Sequence, residues 1–235
     1  MRFHLRRWVP WVVVMVAVVA AAAWPTTTRY GVDYQWSSRR ITLFEKAVHF
    51  VSRDLQLRRM AAEIAGDQPM DEDGLVRLYD WVRSHVATTP PGFHVYDDHV
   101  LNILIRGYGA RDQQAEALAA LASYRGLPSR AIRLRAGETG ESAVLTVIST
   151  GAKRVAFDVH YGVVFRRRDG SLADVDDLLR DQSLVAAAAP GLTIAGVPYE
   201  RYIAGIAAPD LTFDRMELQK PWPRFKAEIR HLFGR

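Results

Sequence analysis

The run Gly107-Tyr108-Gly109-Ala110-Arg111-Asp112-Gln113-Gln114-Ala115 opens on a glycine turn and passes into an Ala/Leu-rich helix that Gly126-Leu127-Pro128 stops. A helix start presents unsatisfied backbone N–H groups and the positive end of the helix dipole. A thiol placed there is lowered toward thiolate and becomes a nucleophile. This chain has no cysteine, which excludes thiol catalysis, disulfides and zinc–thiolate sites. Arg111 stands near the helix start, and a guanidinium stays protonated and attacks nothing. Elsewhere His94, Asp97, Asp98 and His99 crowd into six residues, but their spacing fits no specific zinc or calcium pattern. A helix cap and solvated loop is the plainer reading there.

Taken with Gly126-Leu127-Pro128-Ser129-Arg130 and with Phe157-Asp158-Val159-His160-Tyr161-Gly162-Val163, the opening run resembles the core of the transglutaminase-like (papain-like cysteine protease) superfamily, in its bacterial membrane-anchored branch. Members read roughly Gly-x-Gly-x-Cys-Asp-Gln-x-Ala, a helix, Gly-Leu/Ile-Pro-x-Arg, a histidine strand and a Phe-Asp-Pro strand. The resemblance covers roughly residues 75 to 175. It implies that Arg111 occupies the cysteine position, that Ser142 is the best match to the histidine position, and that Asp158 keeps the orienting acid, with Val159 in place of proline. It therefore implies a degenerate triad and a non-catalytic domain with no cofactor and no metal, whose cleft residues for binding would be Tyr108, Arg111, Gln113, Asp158 and Tyr161.

Two uses of Arg111 follow. It either reaches across the vacated cleft to Asp158 in a charge-assisted pair, or stays open for an anionic ligand; a surface arginine turned to solvent is the bland third case. The competing catalytic reading is a replacement set of Ser142, His160 and Asp158, with His160 and Asp158 on one strand face because side chains alternate with period two. That set would make the chain a hydrolase or acyl-transferase. A peptide- or glycan-binding module that holds its ligand uncleaved is a further alternative.

The elements that must position these residues read as helices first and then a meander of antiparallel strands, which is an α+β arrangement. A long amphipathic helix is expected over 41–65, with Phe44, Val48, Val51 and Leu55 in its apolar stripe. A second helix, capped within 71–73, carries Leu75, Leu78, Tyr79, Val82 and Val86 on one face. A short helix capped by Asp98 and the helix 112–124 follow, then strands over 131–135, 142–149, 154–159 and 163–166, and a short helix over 172–180.

Residues 8–24 carry no charge, are rich in Val and Ala, and have Trp8, Trp11 and Trp24 at their ends. With Arg2, Arg6 and Arg7 ahead of them they predict a single-pass anchor in a bacterial inner membrane, the domain lying on the periplasmic side. A cleaved signal peptide is the alternative, with Ala21-Ala22-Ala23 supplying small residues. The organisation expected is an anchor over 1–25, a linker over 26–40, the transglutaminase-like domain over 41–215 and a basic amphipathic segment over 216–235. In that last segment Phe225, Ile229, Leu232 and Phe233 form a stripe suited to anionic lipid, an acidic polymer or the domain's own core. The net charge of +5 among 235 residues is modest and scattered, which argues against a nucleic-acid partner. The expected partner is an integral-membrane or envelope protein.

Overall fold

The structure is a computed structural model that describes residues 5–32, 35–66, 69–97, 99–136, 140–206 and 215–232. Helix α1 (Leu5–Ala22) leads into strands β1 (Pro25–Val32) and β2 (Gln35–Thr42), then helices α2 (Leu43–Ala65) and α3 (Glu72–His85). Short strands β3 (Ala87–Thr88) and β4 (Tyr96–Asp97) precede α4 (Val100–Arg106), β5 (Tyr108–Gly109) and the central helix α5 (Arg111–Tyr124). The main sheet follows as β6 (Ser129–Arg135), β7 (Ser142–Ser149), β8 (Arg154–Asp158) and β9 (Val163–Val164), paired antiparallel in that order. Helices α6 (Val175–Arg180) and α7 (Gln182–Ala188), the hairpin β10 (Thr193–Ile194) and β11 (Val197–Pro198), and α8 (Tyr199–Ile203) come next. A 3₁₀ turn at Arg215–Gln219 and α9 (Pro221–Leu232) end the chain's described part.

The central strands β7 and β8 of the main sheet are buried on both faces. On one side Ile148, Val155 and Phe157 join the apolar faces of α2, α3, α4 and α5 in a single core. On the other, Ala143, Leu145, Val147 and Ala156 pack with Phe165, Val175, Leu178, Val185, Tyr199 and Tyr202. The alternation of side chains along each strand separates these two sets. Helix α5 can lie close against the first face because Ala115, Ala117, Ala119, Ala120 and Ala122 are all fully buried and small. Two side chains pin it there: Thr146 Oγ1 donates to the Ala115 carbonyl at 2.8 Å, and Ser129 Oγ donates to the Ala119 carbonyl at 2.6 Å. The stripe expected on the second helix, Leu75, Leu78, Tyr79, Val82 and Val86, is buried throughout. Asp71 caps α3 by accepting from the Gly74 N–H.

Several expectations need correcting. Residues 26–40, read as a linker, form most of the β1–β2 hairpin, paired from Pro25↔Thr42 to Val32↔Gln35. Its threonines and arginines leave no apolar face to betray a strand, because backbone pairing and not burial holds it. Thr42 then caps α2 in a reciprocal capping box with Glu45. The stripe Phe44, Val48, Val51 and Leu55 does not face the core; all four are exposed, and α2 instead buries Asp54, Leu57, Ala61 and Ala65. The two sets lie on adjacent faces, and only the C-terminal half of the helix reaches the domain. The boundary at 215 also moves. Met216 is buried in the core, and Glu217 accepts from Ser123 Oγ on α5 at 3.1 Å, so the 3₁₀ turn belongs to the domain.

Most of residues 8–24 lies in α1, where every described large apolar side chain from Trp8 to Val19 is exposed. Among the described residues no helix is long and apolar enough to cross a membrane. Asp98, expected as a cap, lies outside the described residues, as do Phe233 and the side chains of Ile229 and Leu232.

Candidate functional site

Arg111 is the first residue of α5, behind an N-cap at Ala110 that has no capping side chain. The turn is instead tied by Gln113, whose Oε1 accepts from the Ala110 N–H at 3.0 Å while its Nε2 donates to the Tyr96 carbonyl. Both ends of that amide are used in holding the helix start against the preceding loop. Gln113 is therefore a fixture of the turn and not the ligand-facing group expected of it. Tyr108 is likewise engaged: its ring meets Phe93 edge-on and lies under the Arg106 guanidinium, 4.9 Å from centroid to carbon.

The Arg111 guanidinium crosses to the start of β7. Its Nη1 donates to Glu141 Oε2 at 3.0 Å and to the Ser142 carbonyl at 3.2 Å, and the group sits 5.9 Å over the Tyr161 ring. The neighbouring Asp112 is met by Arg133 from β6 at 3.2 Å. The expected partner, Asp158, is not the one taken. Asp158 lies with Ala156 on the sheet face that packs on α6–α8, opposite the face from which Thr146 reaches α5.

Asp158 is fully buried. Its Oδ1 accepts from the Tyr161 N–H at 2.9 Å and its Oδ2 from the Tyr199 hydroxyl at 2.7 Å. Burial pushes its carboxyl up to about 6, against the lowering effect of those two donors, of the His160 N–H and of the more distant Arg111 charge. Both oxygens are thus committed within the fold.

His160 does not share a face with Asp158, because β8 ends at Asp158 and the chain turns through 159–162. Its ring swings to α5 instead. Gln114 Nε2 donates to the Val86 carbonyl at 2.8 Å, which fixes the amide so that its Oε1 accepts from His160 Nδ1 at 3.1 Å. Burial holds the imidazole below its ordinary pKa, and the Arg111 charge adds to the effect. The replacement set of Ser142, His160 and Asp158 is therefore not assembled: the imidazole is bonded to Gln114 and the acid to Tyr199. Tyr161 stands between them, edge-on to His160 at 4.7 Å and to Tyr199 at 6.1 Å.

Of the residues read from sequence, the fold brings Arg111, Ser142 and Tyr161 together and places Asp158 behind them, while Tyr108 and Gln113 serve the loop beside α5. Reading the residues in order missed Glu141, Gln114 and Tyr199. Glu141 could have been found as the acid nearest the Ser142 position. Nothing local marks Tyr199, which arrives from 41 residues beyond its partner. Among the described residues no group of His, Asp and Glu could hold a metal ion; Asp98 and the side chain of Asp97 lie outside that statement.

Residues 58–163 match the model of the Transglutaminase-like superfamily. No curated protein matches the chain. Among solved structures, a protein from Cytophaga hutchinsonii provisionally named a cysteine protease aligns with 15% identity and a TM-score of 0.41, over 51% of this chain and 40% of that one. The segment from α2 to the start of β9 holds the expected glycine turn, buried helix and Phe-Asp strand, and by its match to the family model it belongs to the transglutaminase-like superfamily.

Proposed function

We propose that this chain is a membrane-anchored, non-catalytic transglutaminase-like protein that binds or positions an envelope partner. The observation that carries the proposal is the placement of Arg111: a permanently charged guanidinium, bonded to Glu141 and to the Ser142 carbonyl, fills the helix start where the superfamily's thiol would stand. A serine in the histidine position and an acid engaged by Tyr199 leave no relay from nucleophile to base to acid.

Anchoring is supported by α1. This helix is not by itself long and apolar enough to cross a membrane, but the uncharged run 8–24 continues past its end at Ala22. Its described apolar side chains find no cover within the chain, and a helix apolar all round belongs in a lipid or a protein interior. The bacterial inner membrane, with the domain on the periplasmic side, is the compartment that the positive N-terminal residues favour. A scaffold role beside a membrane protein that assembles or exports envelope polysaccharide suits such an arrangement.

The test uses the full chain and a revertant. Wild type should show no hydrolysis or acyl transfer on activated ester and amide substrates, and no labelling by serine-directed acylating probes. Arg111→Cys combined with Ser142→His should gain labelling by thiol-directed probes. Turnover by wild type that disappears in Ser142→Ala would overturn the reading. For the partner, purification from detergent-solubilised membranes should recover one integral-membrane protein in stoichiometric amount.

A further inference from the structure

The exposed stripe on α2 is a surface feature that neither the core nor the site uses. Phe44, Val48, Val51 and Leu55 are 63%, 46%, 48% and 60% exposed, and they recur along one face of the first three turns. Contiguous apolar surface of this kind marks a contact with another apolar phase. Helix α9 packs beside α2 and adds Trp222 and Phe225, 63% and 53% exposed and stacked on each other with 5.7 Å between centroids.

Two further observations say what covers this flank. The first is position. The Leu43 N–H donates to the Trp24 carbonyl at 2.9 Å, so the start of α2 is tied to the chain just past the end of α1. If α1 is in the bilayer, the first turns of α2 emerge at the headgroup level. The second is charge. The same stretch carries Arg39, Arg40, Lys46, Arg53 and Arg58, and α9 carries Arg224, Lys226 and Arg230, with Lys226 lying 5.2 Å over the Trp222 ring. The acids there are fewer: Glu45 is used in the capping box, Asp54 is buried against Arg58, and α9 contributes Glu228. Basic side chains flanking a Phe, Trp and Leu face are the pattern of a helix that lies in the interface of an anionic membrane.

We propose that the first three turns of α2, together with α9, form a lipid-docking face that lies on an anionic bilayer and fixes the domain against the membrane surface. This rests on the reading of α1 as an anchor, and it adds an orientation: the Arg111 site, at the N-terminal end of α5, is held at a set angle to the membrane and does not swing on a tether.

The chain's lack of cysteine makes the test clean. Full-length protein with the single substitution Val48→Cys, Val14→Cys or Glu63→Cys is labelled with an environment-sensitive fluorophore. It is then reconstituted into vesicles of phosphatidylcholine alone or mixed with phosphatidylglycerol. In the mixed vesicles the label at 48 should shift its emission to the blue and be quenched by a lipid-borne nitroxide, while the label at 63 stays open to aqueous iodide. In neutral vesicles the shift at 48 should shrink. If the label at 14 is quenched from the lipid and the label at 48 remains in water, the docking face is wrong and the anchor stands. If the label at 14 is also in water, both fall. Energy transfer between labels at 48 on different chains, without lipid quenching, would show a second copy covering the stripe and would overturn the proposal.

Discussion

The phenol of Tyr199 donates to Oδ2 of Asp158 at 2.7 Å, with both residues wholly inside the protein. Asp158 ends β8, within the family-matched segment, and Tyr199 opens α8, outside it. The buried carboxyl of the matched segment is therefore held by an element that lies outside it. Its other oxygen is closed by the Tyr161 N–H, so the carboxyl is a structural joint between the sheet and the α6–α8 layer.

Tyr199→Phe tests that joint. It removes one donor from a buried carboxylate, which costs about 1–3 kcal/mol. Because the Tyr199 bond lowers the Asp158 pKa, its loss raises that pKa further. Urea unfolding at pH 5 and pH 8 should therefore show the larger destabilisation at pH 8, where the carboxyl must ionise. An equal loss at both values would mean that the hydroxyl does not serve the charged form.

Asp158 also sets a pH dependence. Its folded pKa, about 6, lies above the ordinary 3.8, so between these values the native state binds more protons than the unfolded one. Stability then falls as pH rises through that window, by on the order of 3 kcal/mol in all. His160, depressed by burial, acts in the opposite sense: it gains stability as pH rises from its folded pKa toward 6.5. The comparison that isolates the acid is wild type against Asp158→Asn. The variant should lose the downward slope between 3.8 and about 6 and keep the rising limb. Parallel curves would refute the shifted carboxyl.

How far this could be read from residues depends on whether the signal was local. The order of elements, the buried stripe from Leu75 to Val86, and β7 at 142–149 came from periodicity and turn residues, because there the chain's own pattern decides the face. The hairpin over 25–42 was hidden because its strands carry polar residues on both faces and hold by backbone pairing. The α2 stripe misled in the other direction. Period 3.6 reports that a face is apolar, and not whether the core or a second phase covers it. The partner of Arg111 left no local trace because Glu141 lies 30 residues on, just ahead of β7, while the Asp158 oxygens are taken by Tyr161 and Tyr199. Tyr199 was invisible because a contact over 41 residues leaves no local trace.

The inner face of α5 allows a direct test of packing. Ala120 is fully buried in the core shared by α2, α3, α4 and the sheet. Ala120→Leu adds three carbons where no space exists, and overpacking of this kind costs about 1–3 kcal/mol. Ala186→Leu on the exposed side of α7 should stay within about 0.5 kcal/mol of wild type. Chemical unfolding of the three proteins separates the cases. A neutral Ala120→Leu would show that α5 does not approach the sheet this closely.

Arg111→Cys asks whether the helix start still does to a thiol what the superfamily's architecture requires. The new thiol would be the chain's sole cysteine, so alkylation reports on it alone. It would sit at N1 of a 14-residue helix, where free N–H groups and the dipole favour thiolate and lower the pKa from about 8.5. Glu141 opposes this, since the carboxylate that now meets Arg111 at 3.0 Å would be left beside the sulfur. Its side chain is 47% exposed, so water screens it and the helix should prevail. The rate of iodoacetamide labelling against pH should therefore give a midpoint below 8.5 in Arg111→Cys. Adding Glu141→Gln should lower it further, and adding Ser142→His further still as an imidazolium forms at the start of β7. A midpoint at or above 8.5 in all three would mean that the first turn of α5 does not present free N–H groups to a thiol at its start.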